Sequence, residues 1–357
     1  MSEAFQRRWE PAGRRRRREA VNAEGATDAA KPPAETPQPG YHGVPVVHRT
    51  HWKWLIIVYF FLGGISGASY VVAAIAQLVG GPRNRSIVRT GRYISFAARL
   101  PCPVLLVLDL GLPERFYRTL RVVKFRSPMS LGTWGLSIFS LFSAGSVAIQ
   151  AAEDGLLGRG RLAESVARVD SRAVGMAGTV PAFFFGGYTG VLLGATAVPL
   201  WSKNAMLLGP LFLTSAFSTA VAAIAVVETG RRHPDETAVA RLEALDRIAI
   251  AAELALLAAS RIRLGEIAKP VVTGRTGNLL LYGTVGAGLI APLALHWIDR
   301  RRKTRGLSLL GSLLVLGGGF ILRYASVVGG NASADDPQAT FLTTSGKTRG
   351  KSGFLTR

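Results

Sequence analysis

Cysteine is almost absent: in 357 residues only Cys102 is one. That excludes an internal disulfide, and it excludes an iron–sulfur cluster held by this chain alone, which takes about four thiolates. Histidine is scarce too, with His42, His48, His51, His233 and His296 the full set. A b-type haem between membrane helices most often takes two histidines at matching depth. Only His296 lies in an apolar stretch, so a bis-His haem is excluded. Charge is also short: 18% of residues are charged, against about 25% in a soluble domain.

What is abundant is apolar and small. The chain is 48% hydrophobic with 41 glycines and a mean hydropathy of +0.27. Windows of about 20 residues pass almost without charge, the length a helix needs to cross hydrocarbon. Glycine at this frequency suits helices packed closely in a bilayer. The net charge of +21 and pI near 11.1 would suit nucleic acid in a soluble chain. Here the basic residues flank apolar spans, so they meet lipid phosphates and set topology instead. The expected fold class is an all-α membrane protein with eight transmembrane helices and no nucleic-acid partner.

The spans read as about 54–79, 93–110 with a Pro-Cys-Pro kink at 101–103, 131–152, 173–198, 205–227, 242–260, 279–298 and 307–328. The sixth is the weakest, because Asp246, Arg247 and Glu253 interrupt it. Residues 1–50 carry five arginines at 14–18 and a Pro/Ala/Glu-rich stretch without the apolar run of a signal peptide, which predicts a disordered basic tail. Residues 330–357 read as a polar tail. Lys and Arg are fewer on the termini's face than on the other, which places the termini outside; the arginine-rich tail argues the reverse.

An ionisable group inside a span is costly and is a functional candidate by default. Arg99, Asp109, Glu228, Glu253, His296 and Arg323 qualify. Those near span ends, Asp109, Glu228 and Arg323, can instead snorkel or pair at the interface. Glu253 is deeper, and either a functional or a structural partner fits it. Tyrosine offers a phenol that can donate to a quinone carbonyl while its ring packs on the headgroup. Tyr188 is the strongest such residue, because Gly186, Gly187 and Gly190 surround it; those glycines would equally mark a close helix contact.

Between the second and third spans lies LDLGLPERFYRTLRVVKFRSPMSLGTWGL, residues 108–136. Arg115, Arg118 and Arg121 recur every third position, and Lys124, Arg126, Phe116 and Tyr117 add charge and aromatic surface. Pro113 suits a helix start and Ser127-Pro128 a boundary. A lipid-facing interfacial helix and a protein-docking segment fit this pattern equally.

This block resembles the NrfD/PsrC family of integral membrane subunits of polysulfide-reductase-like molybdoenzyme complexes. The elements that carry the resemblance are LDLG-x-P-x-R-F and SPMS-x-G-x-W, together with YFFLGGISGASYV in the first span, YTGVLLG in the fourth and LRYASVVGGNASADDPQATF at the eighth. The similarity covers about residues 50–342. It implies two four-helix bundles, the first holding a quinone site, with no haem and no cluster in this chain. The implied function is a quinone-reactive anchor that passes electrons between the membrane quinone pool (menaquinone or ubiquinone) and a ferredoxin-like iron–sulfur subunit, and on to a molybdopterin catalytic subunit. Quinone-site positions map to Tyr59 and Tyr188, with Gly64 and Gly187 beside them. Arg115, Phe116, Arg118, Arg121 and Lys124 would dock the partner, and Asp109 and Glu253 would relay protons. With Glu253 the one deep acid, strong proton pumping is not expected. A structural tether without quinone is the alternative, and a secondary transporter a more distant one.

Overall fold

In hydrocarbon every peptide N–H and C=O needs a partner within the protein, and a helix supplies one from its own turn. The computed structural model describes residues 47–109, 121, 123–158, 160–233, 235–302 and 304–343, and among these it is helical throughout, with no strand. The predicted tail at 1–50 lies almost wholly outside the described residues. The principal helices are α1 (Trp54–Gly80), α2 (Arg85–Arg99), α3 (Pro101–Asp109), α4 (Pro128–Glu153), α5 (Ser171–Ala177), α6 (Thr179–Gly194), α7 (Pro199–Lys203), α8 (Ala205–Thr229), α9 (Glu236–Leu264), α10 (Leu279–Ile290), α11 (Ala291–Arg302) and α12 (Arg305–Ala334). The turns of α10 are wound with the wider π spacing.

Seven helical stretches among the described residues are long and apolar enough to cross a membrane: α1, α2 with α3, α4, α5 with α6, α8, residues 274–298 with α10, and α12. This is a multi-pass integral membrane protein. Helix α9 has 29 residues but falls outside that set, because too much of it is charged.

Helices α1 and α8 form the centre, packed on each other. Around α1 stand α2, α6 and α12; around α8 stand α6, α9 and α12. Helix α4 lies against α2 and α6, while α10 and α11 lie against α12. The two central helices share a pattern. Ser66-Gly-Ala-Ser69-Tyr-Val-Val-Ala-Ala-Ile-Ala76 in α1 is matched by Ser215-Ala-Phe-Ser218-Thr-Ala-Val-Ala-Ala-Ile-Ala225 in α8, and all four serines are buried. Small residues permit the close approach. A Cβ on Gly67 would lie 2.6 Å from the Ala182 carbonyl and 2.8 Å from the Gly186 nitrogen of α6, and one on Gly288 would lie 2.5 Å from Gly318 Cα.

Local chemistry sets the ends. Pro101 opens α3 one residue after α2 stops, at the kink expected from the sequence. Ser127 caps α4 by accepting from the Ser130 nitrogen at 3.5 Å, with Pro128 in the first turn. Pro210 sits inside α8, and the Thr214 hydroxyl donates to the Pro210 carbonyl at 3.0 Å. The segment before α1 is pinned to the end of α12: Arg49 reaches Asp335 at 2.5 Å, and the Thr50 hydroxyl donates to Asn331 Oδ1 at 2.8 Å. Trp52 then stacks on Trp201 of α7 at 5.3 Å.

Asp235 caps α9, its carboxylate accepting from the Thr237 and Ala238 nitrogens at 3.0 and 3.1 Å and from the Thr237 hydroxyl at 2.7 Å. The Thr237 hydroxyl first, then the backbone N–H groups and Arg241, outweigh burial and hold this carboxyl below its ordinary range. A depressed pKa stabilises the fold above the unfolded value, and that contribution is lost as pH falls through the folded one. We expect Asp235→Ala to cost about 1 kcal/mol locally, read as faster amide exchange in residues 236–239. The difference from wild type should shrink at pH below about 4.

Candidate functional site

Two buried polar sites lie near the packed centre, and they touch through one backbone atom. The first is aromatic. Tyr59 is only 3% exposed on α1 and shares an apolar cluster with Cys102 of α3, Phe139 of α4 and Phe185 of α6. Its ring meets Phe185 edge-on at 6.2 Å, and Phe185 stacks on Phe139 at 5.2 Å. Its hydroxyl forms no hydrogen bond among the described residues. Among the described residues such a phenol is a donor without an acceptor, in apolar surroundings lined by flat rings.

Tyr188, the other tyrosine singled out by the sequence, is occupied. It is buried on α6, and its hydroxyl donates to the Pro128 carbonyl at 2.7 Å. Its ring covers Gly132 so closely that a Cβ there would collide with the phenol. The bond ties α6 to the start of α4, where the segment following Asp109 re-enters the helices. The glycines near Tyr188 serve close contact: Gly186 faces Gly67 of α1, and Gly190 meets the Leu208 carbonyl of α8. Gly187 meets only Leu213 and Gly209 of α8, with 3.6 Å to the nearest atom from an added Cβ. Gly64 faces away from both tyrosines; a Cβ on it would lie 2.7 Å from Arg323 Nη2.

That arginine makes the second site. Arg323, on α12, is wholly buried. Its Nε donates to the Phe60 carbonyl at 3.2 Å, and its Nη1 to the Gly319 carbonyl at 2.8 Å and Ser215 Oγ at 3.3 Å. The guanidinium lies over Phe61 at 5.6 Å and Phe212 at 5.9 Å. Nη2 has no hydrogen-bond partner. Glu253, 1% exposed on α9, accepts from Ser218 Oγ at 2.9 Å, and its Oε1 has no partner. The two are in electrostatic reach without a direct ion pair, and Ser215 stands between them. Snorkelling, open for Arg323 from sequence, does not occur. Charge in hydrocarbon costs several kcal/mol unless answered, and here carbonyls, hydroxyls and ring faces answer it. Since Phe60 follows Tyr59, this network reaches the backbone of the aromatic site.

Sequence reasoning named His296 as a candidate but missed its pairing with Asp246. Asp246 is 2% exposed on α9, two turns before Glu253, with Oδ2 3.8 Å from Nε2 of buried His296 on α11. Its Oδ1 has no partner. The signal was available: Asp246 and Glu253 are seven apart, on one face of a helix, with Leu242 and Ile250 buried beside them. Glu228 is also buried, accepting from Ser86 and Thr90 and paired with Arg231 at 3.1 Å, a closed network at the far end of α8.

Asp109 ends α3, partly exposed and in electrostatic reach of Lys53, at the same end of α1 as Tyr59. The structure does not bring it together with Glu253. Arg115, Phe116 and Arg118 lie outside the described residues. Arg121 and Lys124 are exposed, as is Phe125 at 80%.

The profile of the family described as polysulphide reductase, NrfD, matches residues 45–333. The chain belongs to that family. The C subunit of polysulfide reductase from Wolinella succinogenes is 29% identical over 297 residues, covering 76% of this chain and 92% of that protein. Protein NrfD of Escherichia coli is 27% identical over 303 residues, covering 77% and 94%. An NrfD homolog of Haemophilus influenzae is 26% identical over 298 residues, covering 76% and 92%. The family match runs from before α1 to the last turn of α12, so both buried sites lie inside it.

The glycine geometry separates two otherwise similar substitutions. Gly67→Ala forces α1 off the α6 backbone, and we expect a loss of about 1–3 kcal/mol, seen as a lower unfolding temperature in detergent. Gly187→Ala makes only ordinary contact with α8, and its unfolding temperature should stay near wild type.

Proposed function

We propose that this protein is the quinone-reactive membrane subunit of a reductase complex. It would pass electrons between the quinone pool and a ferredoxin-like iron–sulfur subunit, which serves a molybdopterin catalytic subunit. The observation that carries the reading is Tyr59: a buried phenol whose hydroxyl donates to no described residue, with Phe185 and Phe139 beside it. The names of the relatives, a polysulfide reductase subunit and NrfD, support assembly into a reductase. In the quinol-oxidising direction, each quinol gives up two electrons and two protons. Tyr59 donates to one oxygen of the head group and holds it beside α3. Tyr188 contributes indirectly, by fixing Pro128 at the start of α4; Gly187, beside it, packs on α8.

In this reading α9 is the eighth span, and the chain forms two four-helix bundles meeting at α1 and α8. Helix α9 is about 43 Å long at 1.5 Å per residue, ample for a core of about 30 Å, and its acids turn inward. Protons leaving the quinol near Tyr59 have Asp109 at the adjacent surface. Glu253 is the deeper candidate for proton exchange, with Ser218 and Ser215 beside it, while Arg323 balances its charge and holds the Phe60 carbonyl; Asp246 with His296 lies further along α9. The buried acids are thus more numerous than the sequence led us to expect. Arg121 and Lys124 belong to the docking surface with Arg115, Phe116 and Arg118.

The test uses the complex assembled with its partner subunits, in which quinol oxidation is followed spectroscopically. Tyr59→Phe should lower turnover roughly tenfold, the worth of one hydrogen bond of about 1.4 kcal/mol, with assembly unchanged. Tyr188→Phe should weaken partner binding as well as turnover. If wild-type complex neither binds nor oxidises quinol while still assembling, the protein is a tether and the proposal fails. Glu253→Gln should slow proton uptake or release in proteoliposomes without dissociating the partners; unaltered proton traffic would remove Glu253 from the relay.

A further inference from the structure

An apolar groove of about 530 Å³ opens at the end of α1 away from Tyr59, between α1, α8 and α9. Val72 and Ile75 of α1, Phe217 and Val221 of α8, and Leu245 and Ile248 of α9 form its walls. Several of these are exposed, Ile248 at 68%, so in the membrane the groove is filled from the lipid side. Its length and one end say by what.

Along α9 the groove runs from Arg241 to Ala252, about 16 Å at 1.5 Å per residue. That is about half of a hydrocarbon core of about 30 Å, the depth of one leaflet. At the leaflet's surface the walls end in polar residues. Arg241 is exposed and donates from Nη1 to Asn84 Oδ1, while Asn84 Nδ2 donates to the Ala76 carbonyl at 3.2 Å. Asn84 thus fixes Arg241 to the end of α1, and Nη2 and Nε bond to no described residue, with the Asp235 carboxylate in electrostatic reach. Arg83 and Arg85, both exposed, flank Asn84. An apolar trough one leaflet deep with arginines at its mouth complements an acyl chain joined to a phosphate.

We infer that this groove is a specific site for an anionic phospholipid. One acyl chain lies between α1 and α9, and the phosphate sits on Arg241. The tail of a quinone bound at Tyr59 does not suit it, since Val72 lies 13 residues further along α1, about 20 Å away, and the groove opens toward the opposite surface. The occupant seals α9 against α1 where protein contact is missing, on the face of α9 that does not carry Asp246 and Glu253. The inference does not depend on any role in quinone chemistry.

The experiment is native mass spectrometry of the full chain in detergent, titrated with phosphatidylglycerol and with phosphatidylcholine of the same acyl chains. One phosphatidylglycerol should bind about fivefold more tightly, the discrimination that about one arginine near a lipid surface supplies. Arg241→Gln should abolish the headgroup preference and Arg241→Lys should keep it, which separates loss of charge from loss of the Asn84 bond. Ala249→Trp, filling the groove without touching Arg241, should remove the bound lipid while unfolding temperature confirms the fold. Equal binding of the two lipids by wild type, or a preference unchanged in Arg241→Gln, overturns the inference. Displacement of the phospholipid by a polyprenyl quinone also overturns it.

Discussion

A guanidinium that never reaches water constrains the rest of this protein. Arg323 needs acceptors at mid-helix depth, and the nearest helices supply them: a carbonyl from α1, its own carbonyl one turn back, and a hydroxyl from α8. Each donor direction fixes a neighbour. Gly64 has to be glycine because Nη2 takes the space of its Cβ, and Gly319 lets α12 approach Thr219. Glu253 has to turn inward, since a buried cation without a nearby anion would leave the fold far less stable. The arrangement therefore joins α1, α8, α9 and α12 at one point. Pairing is incomplete: one nitrogen and one oxygen remain without partners. In a low-dielectric interior such groups are costly.

The same constraint explains why α9 hides from hydropathy. Asp246 and Glu253 both lie on its inward face, where Ser218, His296 and Arg323 answer them. Average hydropathy counts those acids as though lipid met them. The first half of the chain has a corresponding feature of opposite sign. Arg92 and Arg99 on α2 are also seven apart, and Arg92 is 4% exposed, donating to Gln150 of α4 at 3.0 Å and to Gln77 of α1 at 3.0 Å. Asp246 meets His296 of α11 in the second half much as Arg92 meets Gln150 of α4 in the first.

The sequence therefore disclosed some of this and not the rest. Its length of apolar runs and its Pro101 kink were legible because they depend on local chemistry. Family membership was legible in the 108–136 block, whose spacing of Pro, Arg and Trp is long enough to be specific. The glycines around Tyr188 fitted open space or close helix contact equally in the sequence; Gly186 and Gly190 admit backbones of α1 and α8, and the phenol donates to Pro128. Nothing local distinguishes a glycine that makes room for a ligand from one that makes room for a helix. The burial of Arg323 was equally illegible, since its acceptors on α8 and α1 come from residues 108 and 263 positions away along the sequence.

Tyr59 and Arg323 are linked through the Phe60 carbonyl, and this bears on how the two sites can act together. A helix carbonyl that accepts from a guanidinium is held in place, so the side chain one residue earlier is held with it. Tyr59 is then presented by a backbone that Arg323 fixes, while Trp52 stacked on Trp201 fixes the same helix from its start. A change in the charge balance between Glu253 and Arg323 acts on the length and direction of the Arg323 bond to Phe60. Glu253, through Ser215, and Tyr59, through the backbone of α1, thus both border on the groups that hold Arg323.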